Sequence, residues 1–213
     1  MVVVIFDLET SGLNPYHDDI IEIGAKVFQG DNSFQTLLKP KSNRPISKKI
    51  TEITTITNKQ LRDEGKPWKT AYSEFYNWLH DITKDEEQIS IVSHNGTTFD
   101  FIFLKRMFQE LAPSLDESSV KVNLDSFNFI DTLLLSRRIL PGRTYYSQPT
   151  LAKSYRILIE NAHRALGDVI VLEQIYSKLL EEFSIRTKID GLNEPDKVLD
   201  YINLNQILSN ECI

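Results

Sequence analysis

Apolar and polar positions along this chain change period several times, and each change marks an element. Val2, Val3, Val4, Ile5 and Phe6 form an unbroken apolar run, which reads as a buried strand at 2–6. Similar short runs rich in branched residues predict strands at 20–28, 34–38 and 88–93, with a shorter one near 127–130. Elsewhere the spacing turns helical. Trp68, Tyr72, Phe75, Tyr76 and Leu79 recur at helical steps, so a helix is expected from about Pro67 to Leu79. Further helices are expected near 47–53 and at 101–111, 132–139, 150–157 and 164–183. Three early strands followed by mixed units imply an α/β fold, a sheet with helices on its faces.

Acids stand where several of these elements end. Asp7 and Glu9 lie two residues apart, where the first apolar run gives way to the Ser11-Gly12 turn. Alternate side chains of a strand share a face, so the two carboxylates point together. They repel unless a cation sits between them, and such oxygen ligands suit magnesium, manganese or calcium better than zinc. Alone, the pair reads equally well as a strand-end acid and a helix-capping acid. Asp100 recurs in a matching context, after the apolar run Ile89-Ser90-Ile91-Val92 and at the start of a helical stretch, where a capping role is the plain alternative. Asp168 opens a third such stretch, with His163 five residues earlier. On one continuous helix that spacing turns two side chains roughly 140° apart. His163 is therefore expected on the loop leading into the helix, leaning over a site that Asp168 faces, as a candidate general base.

Three strings carry these residues: D-L-E-T-S-G-L at 7–13, H-N-G-T-T-F-D at 94–100 and H-R-A-L-G-D at 163–168. Together, and in this order, they closely resemble the motifs of the DEDDh family of 3′-to-5′ exonucleases. Ile53-Thr54-Thr55-Ile56-Thr57-Asn58 is similar to that family's I-T-G-I-T segment near the bound strand, with Thr55 where glycine is common. Ile130-Asp131-Thr132-Leu133 and Leu151-Ala152 add to the likeness, which covers roughly residues 1 to 180. The second motif is one residue longer than in the compact bacterial proofreading form, bringing it nearer to the three-prime repair exonucleases.

The resemblance implies a ribonuclease H-like mixed sheet flanked by helices. It also implies two Mg2+ ions, replaceable by Mn2+ and about 3.5–4 Å apart, held by Asp7, Glu9, Asp100 and Asp168. His163 would be the base and nucleoside 5′-monophosphates the products. On the substrate side it implies Leu13 as a wedge against the terminal base, Ile56 as a weaker second wedge, and Thr10 as a donor to the terminal nucleotide. His94, with Asn95 beside it, would orient the second motif or touch substrate. The nucleic acid 3′ end is expected to be single-stranded or frayed, and DNA before RNA.

Composition fits one domain: 213 residues, 41% apolar and 25% charged. An exonuclease domain is expected at 1–183, followed by an acidic C-terminal extension at 184–213, helical and packed on the domain. A net charge of −6 opposes a polyanionic partner, since phosphate binding relies on positive surface. The local balance differs: residues 41–69 hold eight basic and three acidic side chains, and residues 137–164 hold six against one. Both stretches flank motifs and are expected to bind strand. The single cysteine, Cys212, leaves no internal disulfide and suggests a reducing intracellular compartment, cytoplasmic or nuclear. No apolar run approaches membrane-spanning length, so no membrane role is expected, and the N-terminal run reads as a strand and not a signal peptide. A polymerase partner and a homodimer both stay open. The alternatives to a DNA exonuclease are an RNA-trimming exoribonuclease, a non-cutting nucleic-acid or replication-partner binding module on the same fold, and a phosphohydrolase acting on mononucleotides.

Overall fold

The computed structural model describes residues 1–83, 88–115, 127–159 and 164–187. Five strands form one sheet in the order β3-β2-β1-β4-β5, with β1 at Val2–Thr10, β2 at Ile20–Val27, β3 at Ser33–Leu37, β4 at Ile89–Ser93 and β5 at Phe127–Asp131. The first three pair antiparallel, while β4 and β5 add parallel to β1, so the sheet is mixed as expected. β1 runs on past Phe6 to Thr10, through both acids of the first motif.

The described helices are α1 (Lys48–Thr54), α2 (Asn58–Asp63), α3 (Trp68–Thr83), α4 (Asp100–Leu111), α5 (Thr132–Ile139), α6 (Gln148–Ser154) and α7 (Ala165–Thr187). They cover both faces of the sheet. Val4, Phe6 and Leu8 of β1 pack with Tyr72, Phe75 and Leu79 of α3 and with Leu104 and Met107 of α4. Val3 and Ile5 pack against Leu135, Leu151, Leu172, Ile175 and Tyr176 of α5 to α7. Burial on both faces explains why the β1 sequence is continuously apolar and not alternating. At about 1.5–3 kcal/mol per large buried side chain, these two layers supply most of the favourable term in folding.

A smaller cluster of Ile21, Ile46, Ile56 and Leu61 lies under α1 and α2. The helix α2 is absent from the sequence reading. It begins with a reciprocal cap, in which the Thr57 hydroxyl accepts from the Gln60 N–H and the Gln60 side chain accepts from the Thr57 N–H. No described helix is long and apolar enough to cross a membrane. The expected extension at 184–213 begins within α7, and everything after Thr187 lies outside the described residues.

β1 and β4 pair only from Val2↔Ile89 to Ile5↔Val92. Beyond Ile5, the β4-facing edge of β1 has no strand beside it, and the candidate site forms at that end.

Candidate active site

The alternation of β1 sets the site. Val3 and Ile5 face the α5–α7 layer, so Asp7 and Glu9, continuing the same row, face it too. Asp168, in the first turn of α7, meets them: one carboxylate oxygen from each of Asp7, Glu9 and Asp168 lies within 4.8 Å of the others. All three are half-buried.

Two residues that the sequence reading passed over bring α7 to this position. Gly24 pairs with Asp7 in the sheet, and a Cβ on it would lie 2.5 Å from the backbone carbon of Ala165. Only glycine lets the start of α7 approach β2 so closely. Glu22, opposite Glu9 and fully buried, then fastens the approach. Its Oε1 accepts from Arg164 Nη2 at 2.6 Å, both its oxygens accept from Arg164 Nε at 3.1 Å, and its Oε2 accepts from the Ala165 N–H at 3.0 Å. Sequence signals existed for both: a charge inside Ile20-Ile21-Glu22-Ile23 must find a partner when buried, and a glycine within a strand marks a close approach. Arg164, counted with the strand-binding basic stretch, is committed to Glu22. Lys41, counted with the other stretch, is committed to Glu110.

Asp100 sits behind the three acids. One of its oxygens accepts from the Leu8 N–H at 3.2 Å, on the strand edge that β4 leaves open, and the other accepts from the Ser93 hydroxyl at 2.8 Å. The capping role considered for it is absent, because its carboxylate reaches across to β1 and β4. Ser93, the last residue of β4, is a third residue the sequence reading did not single out.

Burial and mutual repulsion make these acids hold protons. Asp7 is raised well above the ordinary aspartate value, first by burial and then by Asp100, Glu9 and Asp168. Glu9 is pushed up to about 8 by burial, Asp168, Glu22 and Asp100, with Arg164 pulling it down. Asp100 is raised to about 7 by burial, against the hydrogen bonds from Ser93 and Leu8. With Arg164 bound to Glu22, the described residues supply little positive charge to this cluster. Close, half-buried oxygen ligands suit a hard divalent cation.

The remaining expected residues separate. Thr10 is buried, and its hydroxyl donates to the Gly12 carbonyl at 2.6 Å, leaving its backbone at the β1 bulge beside Glu9. Leu13 stands 81% exposed at the tip of the following turn, free to meet a base. Gly12 permits that turn, since a Cβ there would overlap the Asp18 carboxylate at 2.4 Å. Ile56 corrects the sequence reading: it is fully buried against Ile21, Ile46 and Leu61, so packing and not a nucleotide occupies its side chain. Thr55 beside it adopts φ 60°, the left-handed conformation that glycine favours.

His94 is half-buried, with Nδ1 2.9 Å from the Thr132 hydroxyl, and burial lowers its pKa against the pull of Asp131 and a backbone hydrogen bond with Tyr146. Asn95 takes a left-handed backbone at φ 64° and donates its N–H to Asp131 Oδ1 at 3.0 Å. Asp131 also accepts from the Thr97 and Leu133 N–H groups, so it ties the second motif to α5. His163 lies outside the described residues, next to the anchored Arg164.

DNA polymerase III PolC-type of Thermotoga maritima is 32% identical over 212 residues, covering 98% of this chain and 14% of that protein. The chain thus spans about a seventh of the length of the curated relatives it matches. Among solved structures, exonuclease I shares the fold at a TM-score of 0.69 and 18% identity, over 95% of this chain and 43% of that one. A zinc-bound E. coli ExoI–ssDNA complex matches at 0.67 and 18% identity, over 87% and 41%. Residues 4–176 match the RNase T family, described as exonuclease, and the chain belongs to that family.

Proposed function

We propose that this exonuclease domain hydrolyses DNA from its 3′ end, releasing nucleoside 5′-monophosphates, and that it removes mispaired or damaged termini beside a DNA polymerase inside the cell. The single observation that carries this reading is the convergence of Asp7, Glu9 and Asp168 within 4.8 Å, with Asp100 fixed directly behind them. PolC-type relatives that cover nearly the whole chain support a polymerase setting and a DNA substrate. The ssDNA held by the ExoI neighbour supports a single-stranded or frayed end.

Asp7, Glu9, Asp100 and Asp168 would hold two Mg2+ ions. When bound, these supply an acidified water and stabilise charge on the leaving 3′-oxygen. His163 takes the proton of the attacking water, and the Glu22–Arg164 pair keeps the chain beside it in place. Leu13, exposed at the turn tip, stacks on the terminal base and splays it from its neighbour. Stacking reads no sequence, so the activity is expected to be sequence-tolerant.

The test is incubation of purified protein with end-labelled DNA and RNA of matched sequence, with magnesium and with chelator. Stepwise shortening of DNA from the 3′ end, dependent on magnesium and faster than on RNA, is the expected result. Faster RNA cleavage would transfer the reading to an exoribonuclease. Binding without cleavage at any metal concentration would leave only a binding module. His163→Ala should lower turnover by about 10²–10⁴-fold while strand affinity changes little.

A further inference from the structure

Beside the acidic cluster, at the same end of the sheet, lies a cavity of about 270 Å³ lined by Lys39, Arg44, Arg62, Asn43, Asn58 and Leu61 together with two prolines. Its position follows from the strand register. Glu9 is opposite Glu22, and Glu22 is opposite Leu37. At about 4.8 Å per strand, Leu37 stands roughly 10 Å from Glu9, and Lys39 follows two residues later. Glu64, at the end of α2, also acts on Arg164, which puts this corner near the first turn of α7.

The cavity is a built feature and not a chance gap between loops. Asn58 holds its two walls together, accepting from the Ile46 N–H at 2.7 Å and donating to the Ile46 carbonyl at 3.0 Å. Asn43 takes a left-handed turn at φ 51°, and the Lys39 N–H donates to the Lys66 carbonyl. Most neighbouring cations are already paired: Lys41 with Glu110, Lys48 with Glu52, Lys59 with Asp63 and Lys66 with Glu74. Lys39 and Arg44 have no carboxylate partner among the described residues, and Arg62 touches only Asp63, at 3.5 Å. The lining holds three cations and no acid.

We propose that this cavity binds a backbone phosphate of the substrate strand, a few nucleotides upstream of the bond cut at Asp7, Glu9 and Asp168. This rests on the reading of the chain as a strand-degrading exonuclease. The Arg44 guanidinium presents a fork matched to two phosphate oxygens, and Lys39 adds a point charge. The site carries no base recognition, so it raises affinity for longer strands without selecting sequence. It also gives a chain of net charge −6 a local place to engage a polyanion, since the cavity lining holds cations and no acid.

The test compares the native protein with a Lys39→Glu, Arg44→Glu double variant. Affinity for a fluorescent dodecamer is read by anisotropy in chelator, and KM and kcat are read in magnesium on that dodecamer and on a trinucleotide. The double variant is expected to lose about tenfold in dodecamer affinity at low salt and to raise KM to match, with kcat and the trinucleotide KM unchanged. The salt dependence of dodecamer binding should flatten by roughly 1.4, two contacts at about 0.7 each for a single strand. Lys178→Glu, on α7 away from this cavity, supplies a charge-reversal control. An equal loss in the control, an equal loss on both lengths, or no loss at all overturns the proposal. So does inorganic phosphate bound by the native protein and not by the double variant at low concentration without displacing the dodecamer, which would assign the cavity to a free anion. If the native protein cuts neither substrate yet its dodecamer affinity still depends on Lys39 and Arg44, the exonuclease reading fails and the phosphate site stands.

Discussion

Glu22 and Arg164, separated by most of the domain in sequence, form an ion pair, buried on the glutamate side, that fixes the start of α7 against the strand next to β1. The pair does no chemistry of its own. It sets where Asp168 arrives beside Asp7 and Glu9.

Glu22→Gln should therefore cost more in rate than in binding. It removes the charge that faces Arg164, and because Arg164 is partly exposed the loss of stability is roughly 1–3 kcal/mol, short of a fully buried pair. Turnover should fall about 10–100-fold, the range seen when groups that orient ligands are removed, with KM nearly constant. Urea unfolding and single-turnover kinetics measure the two effects, and a rate unchanged in a destabilised protein would reduce the pair to a structural role.

Asp168→Asn should separate function from stability in opposite directions. Cleavage should fall by more than the roughly 10–100-fold expected for an orienting partner, because a carboxylate of the cluster itself is lost. Metal-free stability should rise, since the Asp168 charge repels the carboxylates of Asp7 and Glu9 and raises their pKa values. Thermal melting in chelator checks this, and a lowered melting temperature would contradict the repulsion described.

Stability of the metal-free protein should depend on pH with a definite sign. Glu9 near 8 and Asp100 near 7 are raised above their ordinary 4.5 and 3.8, so the folded state binds protons more tightly than the unfolded chain. Their contribution is fully present below about pH 4 and is lost as pH climbs through 7 to 8. Between pH 5 and 9 the chelated protein should become progressively less stable, seen as a steadily falling melting temperature. Saturating magnesium should flatten this slope by binding the folded state alone. A pH-independent melting temperature in chelator would contradict the burial of these acids.

Thr55→Gly addresses the backbone. Thr55 is exposed and left-handed, a conformation costing a branched residue about 1–2 kcal/mol. Glycine removes that cost but loses some entropy, so a net gain of about 0.5–1 kcal/mol is expected, seen as a higher urea midpoint with unchanged slope.

What could be read from the sequence follows from which signals are local. β1 was legible because burial on both faces writes an unbroken apolar run, and its alternation carried the orientation of Asp7 and Glu9. The helix α2 escaped because it buries only Leu61, although Thr57 and Gln60 at capping spacing were in view. Ile56 was misread because an apolar residue in a turn looks the same whether it meets a base or a core. Glu22 and Gly24 were passed over because their meaning depends on Ala165 and Arg164, which approach them only in three dimensions. Arg164 and Lys41 were counted as free charge for the same reason.

The carboxylate of Asp100 is received by an amide that exists only because one strand outlasts its neighbour. Had β4 continued alongside β1 by a few more residues, the Leu8 N–H would be spent on ordinary ladder pairing and Asp100 would have no berth. Catalytic competence in this fold is thus a matter of strand length as much as of residue identity: an insertion lengthening β4 would silence the enzyme while leaving every acidic side chain intact.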